Sequence, residues 1–341
     1  MTILNQAVAA NQVRDGHQGG IDTGSVNPLY IEQYGGEVEH RFLKDSFMRQ
    51  FFKFKSVRGT DTVTNDRIGS SSLQKVTRGV RPTDAAPSFD NVSVKVDTIV
   101  LARTNQFLLD DFLEHIDTRK EVGVEHGKEI GKFFDESFVV QGSASKPTNV
   151  VRTAPEGHQG GSIVILNAIG AEADPDELEL AIQDLCQNIE EKDLDVEEAV
   201  LLMRPAEYYT LLKNDKLIDR DFSTSNGDYA KGMVLMSCGV RIQKTNRFPT
   251  QADVGATHFL SNAGNNNAYD VTQADANCRA VLLMPKALLA GETIPLTSKV
   301  YYSDIELQWF IDSYLAYGVT PNRSEHAGGI FRFDPDLETP T

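Results

Sequence analysis

Asp110, Asp111, Glu114 and His115 form the densest cluster of side chains in this chain that could do chemistry. Paired carboxylates beside an imidazole can move protons or hold a divalent metal. The cluster also sits just ahead of a strongly helical segment, where negative charge is favoured by the helix dipole. That plainer account is preferred. Asp219, Asp221 and Ser223 begin like a calcium loop, but Thr224 stands where the turn needs Gly and Ala230 where the closing Glu belongs. Gly142-Ser143-Ala144-Ser145-Lys146 is only superficially like a nucleophile loop. The pentapeptide Gly-His-Gln-Gly-Gly occurs at 16–20 and again at 157–161, which pairs His17 with His158 as metal ligands in the sharper reading. Coincidence between two Gly-rich loops explains it better. No phosphate-cradling, dinucleotide, zinc-protease or serine-hydrolase motif is present. The residues point to no enzyme and no cofactor, with a metal-dependent hydrolase at Asp110, Asp111 and His115 as the catalytic alternative.

Charge is distributed more tellingly. Residues 49–84 carry eight basic side chains against three acids, net +5 inside a 341-residue chain of net −16. From Glu172 to Glu198 twelve acids face one base, Lys192. A basic protrusion and an acidic body can steer copies of the same chain together and fix their register. Self-assembly is therefore the first expectation. The acidic field argues against a grip on nucleic acid, which needs clustered Lys and Arg.

The 40% hydrophobic content is enough for a substantial core. Cys186, Cys238 and Cys278 are widely spaced and odd in number, as in a reduced chain without a disulfide framework. Met1 to Ala10 lacks the basic start and apolar run of a signal peptide. The best apolar stretch, Ala280 to Ala290, is broken by Pro285 and Lys286 and too short to span a membrane. The expectation is a soluble protein made where it works, with no membrane partner.

Several elements must position these features. Residues 1–28 read as an extended arm, followed by a helical pattern through Tyr34, Val38, Phe42, Phe47, Phe51 and Phe52. Val57 to Val80 reads as a two-stranded excursion too polar to bury a face of its own, so it must lean on something, a neighbouring subunit being the obvious candidate. Val92, Val94 and Val96 alternate with polar residues as a half-buried strand. A long helix is predicted from Asp117 to Val139, with Thr118 and Glu121 as a capping box. Its stripe is Val122, His126, Ile130, Phe134 and Phe138. Gly123, Gly127 and Gly131 run beside that stripe, and each costs about 1 kcal/mol relative to Ala, so another backbone must pass close. A second helix spans Asp174 to Asp193 and buries Leu178, Ala181, Ile182, Leu185 and Ile189. Strands are predicted at 199–203, 233–243, 257–260 and 279–284, and a short helix at 205–214. Residues 298–333 are strand-rich, with Ile305, Leu307, Trp309 and Ile311 alternating with polar neighbours.

These residues resemble a known family. Gly35-Gly36-Glu37-Val38 after the arm, Asp117-x-Arg119-x-Glu121 opening the long helix and Arg323-x-Glu325-x-Ala327-Gly328 before a last apolar strand are similar to the major capsid proteins of T7-like short-tailed phages. Ser324 departs from the Pro usual in the last motif. The resemblance implies an α+β fold of the HK97 type: an N-terminal arm (1–45), an extended loop (46–95), a peripheral domain (96–170 and 295–341) around a spine helix at 117–139, and an axial domain (171–294). It implies a structural subunit that forms hexamers and pentamers and closes an icosahedral shell around a double-stranded DNA genome. Scaffolding and portal proteins would be partners, with a cement or decoration protein as a further one. The packaged DNA would lie inside without specific binding, repelled by the acidic wall. Assembly would take place in the bacterial host cytoplasm, and the protein would reside in the virion. An encapsulin-like compartment is the runner-up. The charge split then acquires a direction. Arg58, Arg67, Lys75, Arg78 and Arg81 of the loop are expected to approach Asp110, Asp111, Glu114, Glu121, Glu125 and Glu129 around a neighbour's spine helix.

Overall fold

The computed structural model describes residues 28–71, 73–79, 81, 88–108, 118–142, 157–214, 227–228, 233–234 and 236–333, with side chains from residue 36 outside 118–120, 227–228 and 233–234. In chain order the elements are α1 (Pro28–Asp45), α2 (Met48–Phe51), β1 (Phe54–Ser56), β2 (Thr62–Ile68), β3 (Phe89–Lys95), β4 (Val100–Phe107), α3 (Thr118–Gly142) and β5 (Ser162–Ile165). They continue as α4 (Pro175–Glu190), β6 (Val200–Met203), α5 (Pro205–Leu211), β7 (Gly227–Asp228), β8 (Met233–Val234), β9 (Met236–Ser237) and β10 (Val240–Lys244). The last are α6 (Gln273–Asn277), β11 (Cys278–Leu283), β12 (Leu288–Ser303), β13 (Gln308–Pro321) and β14 (Ala327–Phe331). Among the described residues no helix is long and apolar enough to cross a membrane.

The chain divides into two units, one of residues 1–46, 99–131 and 294–315, the other of 47–98, 132–293 and 316–341. In the first, β4 runs antiparallel to β13 with Gln308 opposite Phe107 and Leu315 opposite Val100. Val38 of α1 packs there with Val300, Trp309 and Ile311. Ile305 and Leu307 do not continue that strand as expected. Leu307 has φ +52° and Ile305 is almost fully exposed, because the chain reverses between β12 and β13. Alternation alone cannot separate a strand from the turn that follows the same period.

The second unit is built on a six-stranded sheet in the order β5-β14-β11-β6-β10-β9. Strand β6 is buried at every position, as an apolar run flanked on both sides must be. Helix α4 covers the sheet with Leu178, Ile182, Leu185 and Ile189, all at or near zero exposure. It starts where it does because the Asp174 side chain accepts from the Asp176 backbone N–H at 3.0 Å, with Pro175 in the first turn. Residues 257–260 are not the expected strand; they form a turn held by the Asp270 carboxylate, which accepts from the His258 backbone N–H at 2.9 Å. Strands β5 and β14 share a sheet with β6, β10 and β11. The sequence-derived boundaries at 171 and 294 therefore do not coincide with a sheet boundary.

Helix α3 has 25 residues, three longer at its end than the predicted helix. Its C-terminal half carries an aromatic cluster. Phe134 lies 4.8 Å from Phe138 and 4.7 Å from Tyr317 between ring centroids, with Phe54 5.7 Å away. Ser137 Oγ donates to the Phe134 carbonyl at 2.7 Å, so the buried Tyr317 hydroxyl donates to Ser137 at 2.9 Å. Burial pushes the Tyr317 phenol well above its usual range. The buried Asp135 carboxylate accepts from the backbone N–H groups of Phe47 and Met48, at 3.1 and 3.3 Å, and so holds the start of α2.

Candidate assembly surfaces

The basic excursion is a hairpin, though not the one expected. Its outgoing strand is β2 and its return strand is β3, paired antiparallel with Thr62 opposite Lys95 and Ile68 opposite Phe89. The half-buried strand of Val92, Val94 and Val96 is thus the second arm of the excursion. The base is fixed to its own unit. Val94 lies against Gly291 and Gly318, and a Cβ at Gly318 would come within 2.7 Å of the Lys95 carbonyl, so only Gly lets the two backbones approach. Asn65 Nδ2 donates to Asn322 Oδ1 at 3.0 Å.

Arg67 separates from the other expected docking residues here. It is 2% exposed, and its guanidinium donates to the Asn322 carbonyl and to the Asp90 carboxylate. That bond to Arg67 holds the Asp90 carboxyl below its usual range. Arg67 is therefore committed within the chain, and the neighbour-facing role expected for it is withdrawn. Arg58, Lys75, Arg78 and Arg81 are exposed, and Leu73 and Val76 beside them are exposed apolar residues. Sequence reasoning missed this apolar component of the tip because it counted only charge.

On α3, Glu121, Glu125 and Glu129 recur every four residues and all are exposed, forming one acidic stripe. Lys128 donates to Glu125 at 3.2 Å. Asp110, Asp111, Glu114 and His115, and with them the hydrolase alternative, lie outside the described residues, as do His17 and the Asp219 loop. Among the described residues no group of three or more His, Cys, Asp or Glu is placed to hold a metal. The glycine stripe is resolved residue by residue. A Cβ on Gly127 would sit 2.7 Å from the Val38 carbonyl, so α1 passes close there. At Gly131 the nearest atom would be 3.7 Å away, an ordinary contact, and Gly123 is buried.

The second Gly-His-Gln-Gly-Gly segment has a place in the fold. His158 Nδ1 lies 3.2 Å from Glu325 Oε2, and Arg323 Nη1 donates to Glu325 Oε1 at 3.0 Å. Lys192 Nζ donates to the Gly160 carbonyl at 2.6 Å and Ser162 Oγ at 2.7 Å, and burial lowers its pKa. The pentapeptide thus braces the Arg323-x-Glu325 motif, with Ser324 buried between the two charges. The signal available in the sequence was the motif pair; what joined them was tertiary.

The fold agrees with what the chain is similar to. The capsid of cyanophage P-SCSP1u superposes with a TM-score of 0.72 at 19% identity, over 85% of this chain and 88% of that one. The mature capsid of bacteriophage PhiM1 gives 0.69 at 24% identity, over 93% and 90%. The capsid of a native GTA particle gives 0.56 at 12%, over 85% and 91%. These likenesses establish an α+β fold of the HK97 capsid type. No curated protein matches the chain. The family model for Gp10A-like major capsid proteins matches residues 94–289, more than half of the sequence, and the chain belongs to that family.

Proposed function

We propose that this major capsid protein forms hexamers and pentamers that close into an icosahedral shell around the double-stranded DNA of a T7-like short-tailed phage. The observation that carries the reading is the hairpin: its base is locked into the subunit while its tip presents Leu73, Lys75, Val76 and Arg78 to solvent. A surface both apolar and cationic on an acidic chain is suited to another copy of that chain. Exposed charge pairs contribute only about 0–1 kcal/mol each, so contacts of this kind add up around a ring yet remain correctable. Within this reading, residues 1–45 act as the arm and the hairpin region as the extended loop. Helix α3 is the spine of a peripheral domain, and residues 171–294 make the main part of the axial domain. A scaffolding protein and a portal guide closure, a decoration protein binds outside, and the DNA lies against an acidic wall without specific contacts. The role is structural, without catalysis, and assembly precedes release from the bacterial cytoplasm.

Light scattering with negative-stain imaging of the purified chain, over concentration and salt, tests this. Shells, tubes or ring-shaped capsomers that weaken with salt are expected. A chain that stays monomeric even when co-expressed with its scaffolding protein would refute the reading.

A further inference from the structure

The three cysteines stand in three different settings. Cys278 is fully buried at the start of β11, with its thiol donating to the Ala280 carbonyl at 3.5 Å, and burial raises its pKa beyond the range of neutral-pH chemistry. Cys186 is 4% exposed in α4 and packs in the same core cluster as Val240 and Ile242 of β10. Cys238 is exposed in the two-residue turn that joins β9 to β10, where Ser237 lies opposite Val240. Helix α4 thus packs beside the strand that this turn begins. The two side chains meet there, and the Cys186 thiol donates a hydrogen bond to Cys238 Sγ.

Nothing in the turn itself asks for cysteine. Cys238 has φ +50° and Gly239 φ +81°, left-handed at both central positions as in a type I′ turn, whose first position suits Asn, Asp or Gly. A left-handed Cys is strained. In that conformation Cys238 is open to solvent and bonded to Cys186 at once. The bond from Cys186 draws the Cys238 thiol below its ordinary range, with Ser237 Oγ donating at 3.8 Å, while burial and the nearby Glu179 and Glu190 act against it. The same bond, with burial, moves the Cys186 thiol up. One sulfur is placed as the nucleophile and the other keeps its proton.

We propose that Cys186 and Cys238 are a redox pair that a hydroperoxide converts into an intrachain disulfide. The Cys238 thiolate attacks one peroxide oxygen, the O–O bond breaks, and the departing hydroxide takes a proton from solvent and leaves as water. Cys238 is then a sulfenic acid. The Cys186 sulfur attacks Cys238 Sγ, the S–O bond breaks, and the hydroxide leaves with the Cys186 proton as a second water. The two sulfurs together have lost two electrons to the peroxide. Hydrogen peroxide suits the site because it is small and neutral, whereas oxidised glutathione is bulky, anionic and repelled by Glu179 and Glu190. The product ties α4 to the β9–β10 turn. Strand β9 has two residues and lies at the edge of the sheet with β10 as its neighbour, so this corner has little else to hold it. The bond closes a loop of about 50 residues and removes that freedom from the unfolded chain. The chemistry needs a single copy of the chain and is independent of shell formation.

The full-length chain, freed of reductant and treated with a low excess of hydrogen peroxide, should lose the Cys186 and Cys238 thiols while Cys278 keeps its own. Peptide mapping without reduction should find Cys186 joined to Cys238, and dithiothreitol should restore both thiols. The oxidised chain should unfold about 5–10 °C higher than the reduced one. Cys238→Asn keeps a residue that the turn favours, and should abolish the joined peptide and the thermal shift together. Cys186→Ala should leave Cys238 as a sulfenic acid that dimedone captures, and should raise the pH midpoint of its alkylation by iodoacetamide. Oxidised glutathione should form the bond at least about tenfold more slowly than peroxide at equal concentration; equal rates would overturn the choice of oxidant. Peroxide that leaves both thiols free, that takes Cys238 on to a sulfinic acid or that links it between chains without joining it to Cys186 would overturn the pair.

Discussion

The two ends of the same hairpin obey opposite rules. At the base, a charged side chain is buried: Arg67 is 2% exposed and bonded within the chain, and Val94 closes against two glycines. At the tip, aliphatic side chains are exposed and cations face solvent. A subunit that must fold before it assembles needs this division. The base stabilises the monomer and sets the direction of the ribbon, whereas the tip leaves Leu73 and Val76 exposed and so contributes little to monomer stability. Basic residues close together in sequence therefore have different work.

Substitutions can break the comparison, starting with the base. Arg67→Ala leaves the Asn322 carbonyl without its donor and Asp90 without its counter-ion. The cost should be about 2–3 kcal/mol, at the low end for a broken buried pair because Asp90 is half exposed. Chemical denaturation of the monomer would measure it, and an unchanged midpoint would show that the base is not anchored as described. Arg67→Glu should likewise impair folding itself, not assembly alone.

Next in size is the close approach of α1 to α3. Gly127→Ala should cost about 1–3 kcal/mol by overpacking against the Val38 carbonyl. Gly131→Ala, which has room, should instead stabilise by up to about 1 kcal/mol through helix propensity. Thermal unfolding of the two variants side by side should move in opposite directions. Parallel shifts would contradict the geometry.

At the tip the readouts should separate. Arg78→Glu with Lys75→Glu should leave monomer stability within about 0.5 kcal/mol, as for exposed surface positions, while closed particles disappear from negative-stain fields. Normal particles from that double variant would refute electrostatic docking by the tip.

The smallest effect concerns acid. Because Arg67 holds the Asp90 carboxyl below its ordinary range, the pair's contribution is full above the unfolded carboxylate pKa and is lost as pH falls through the lowered folded value. An NMR titration of the Asp90 carboxyl carbon should show a midpoint below that of an exposed Asp, and Arg67→Ala should return it to the ordinary range.

Legibility varied with the range of the interaction involved. The α4 helix was readable at its start and along its buried face, since its cap at Asp174 and its five-residue stripe are local and all five predicted positions are buried, though it ends at Glu190, three residues before the predicted Asp193. The stripe of α3 and the pairing parity of Val92, Val94 and Val96 were equally legible. The turn at 304–307 was not, because a period of two runs on through Ile305 and Leu307 although the backbone reverses there. Residues 257–260 have strand-like composition but are shaped by the Asp270 carboxylate. Arg67 looked like its basic neighbours because its partners, Asp90 and Asn322, lie 23 and 255 residues away.

The sequence by itself determined where the long helices lie, which faces they bury, that charge is split between a basic excursion and an acidic body, and which family the motifs resemble. These follow from periodicity, caps and composition, which act over a few residues. Tertiary structure alone decided which return strand completes the hairpin, which of its arginines faces inward and that Gly127 presses on a backbone carbonyl while Gly131 has room. It also brought His158 to Glu325 and set the Cys186 thiol against Cys238. The reason is physical: burial of a charge or an N–H depends on partners brought together from distant parts of the chain, and no local pattern encodes that meeting.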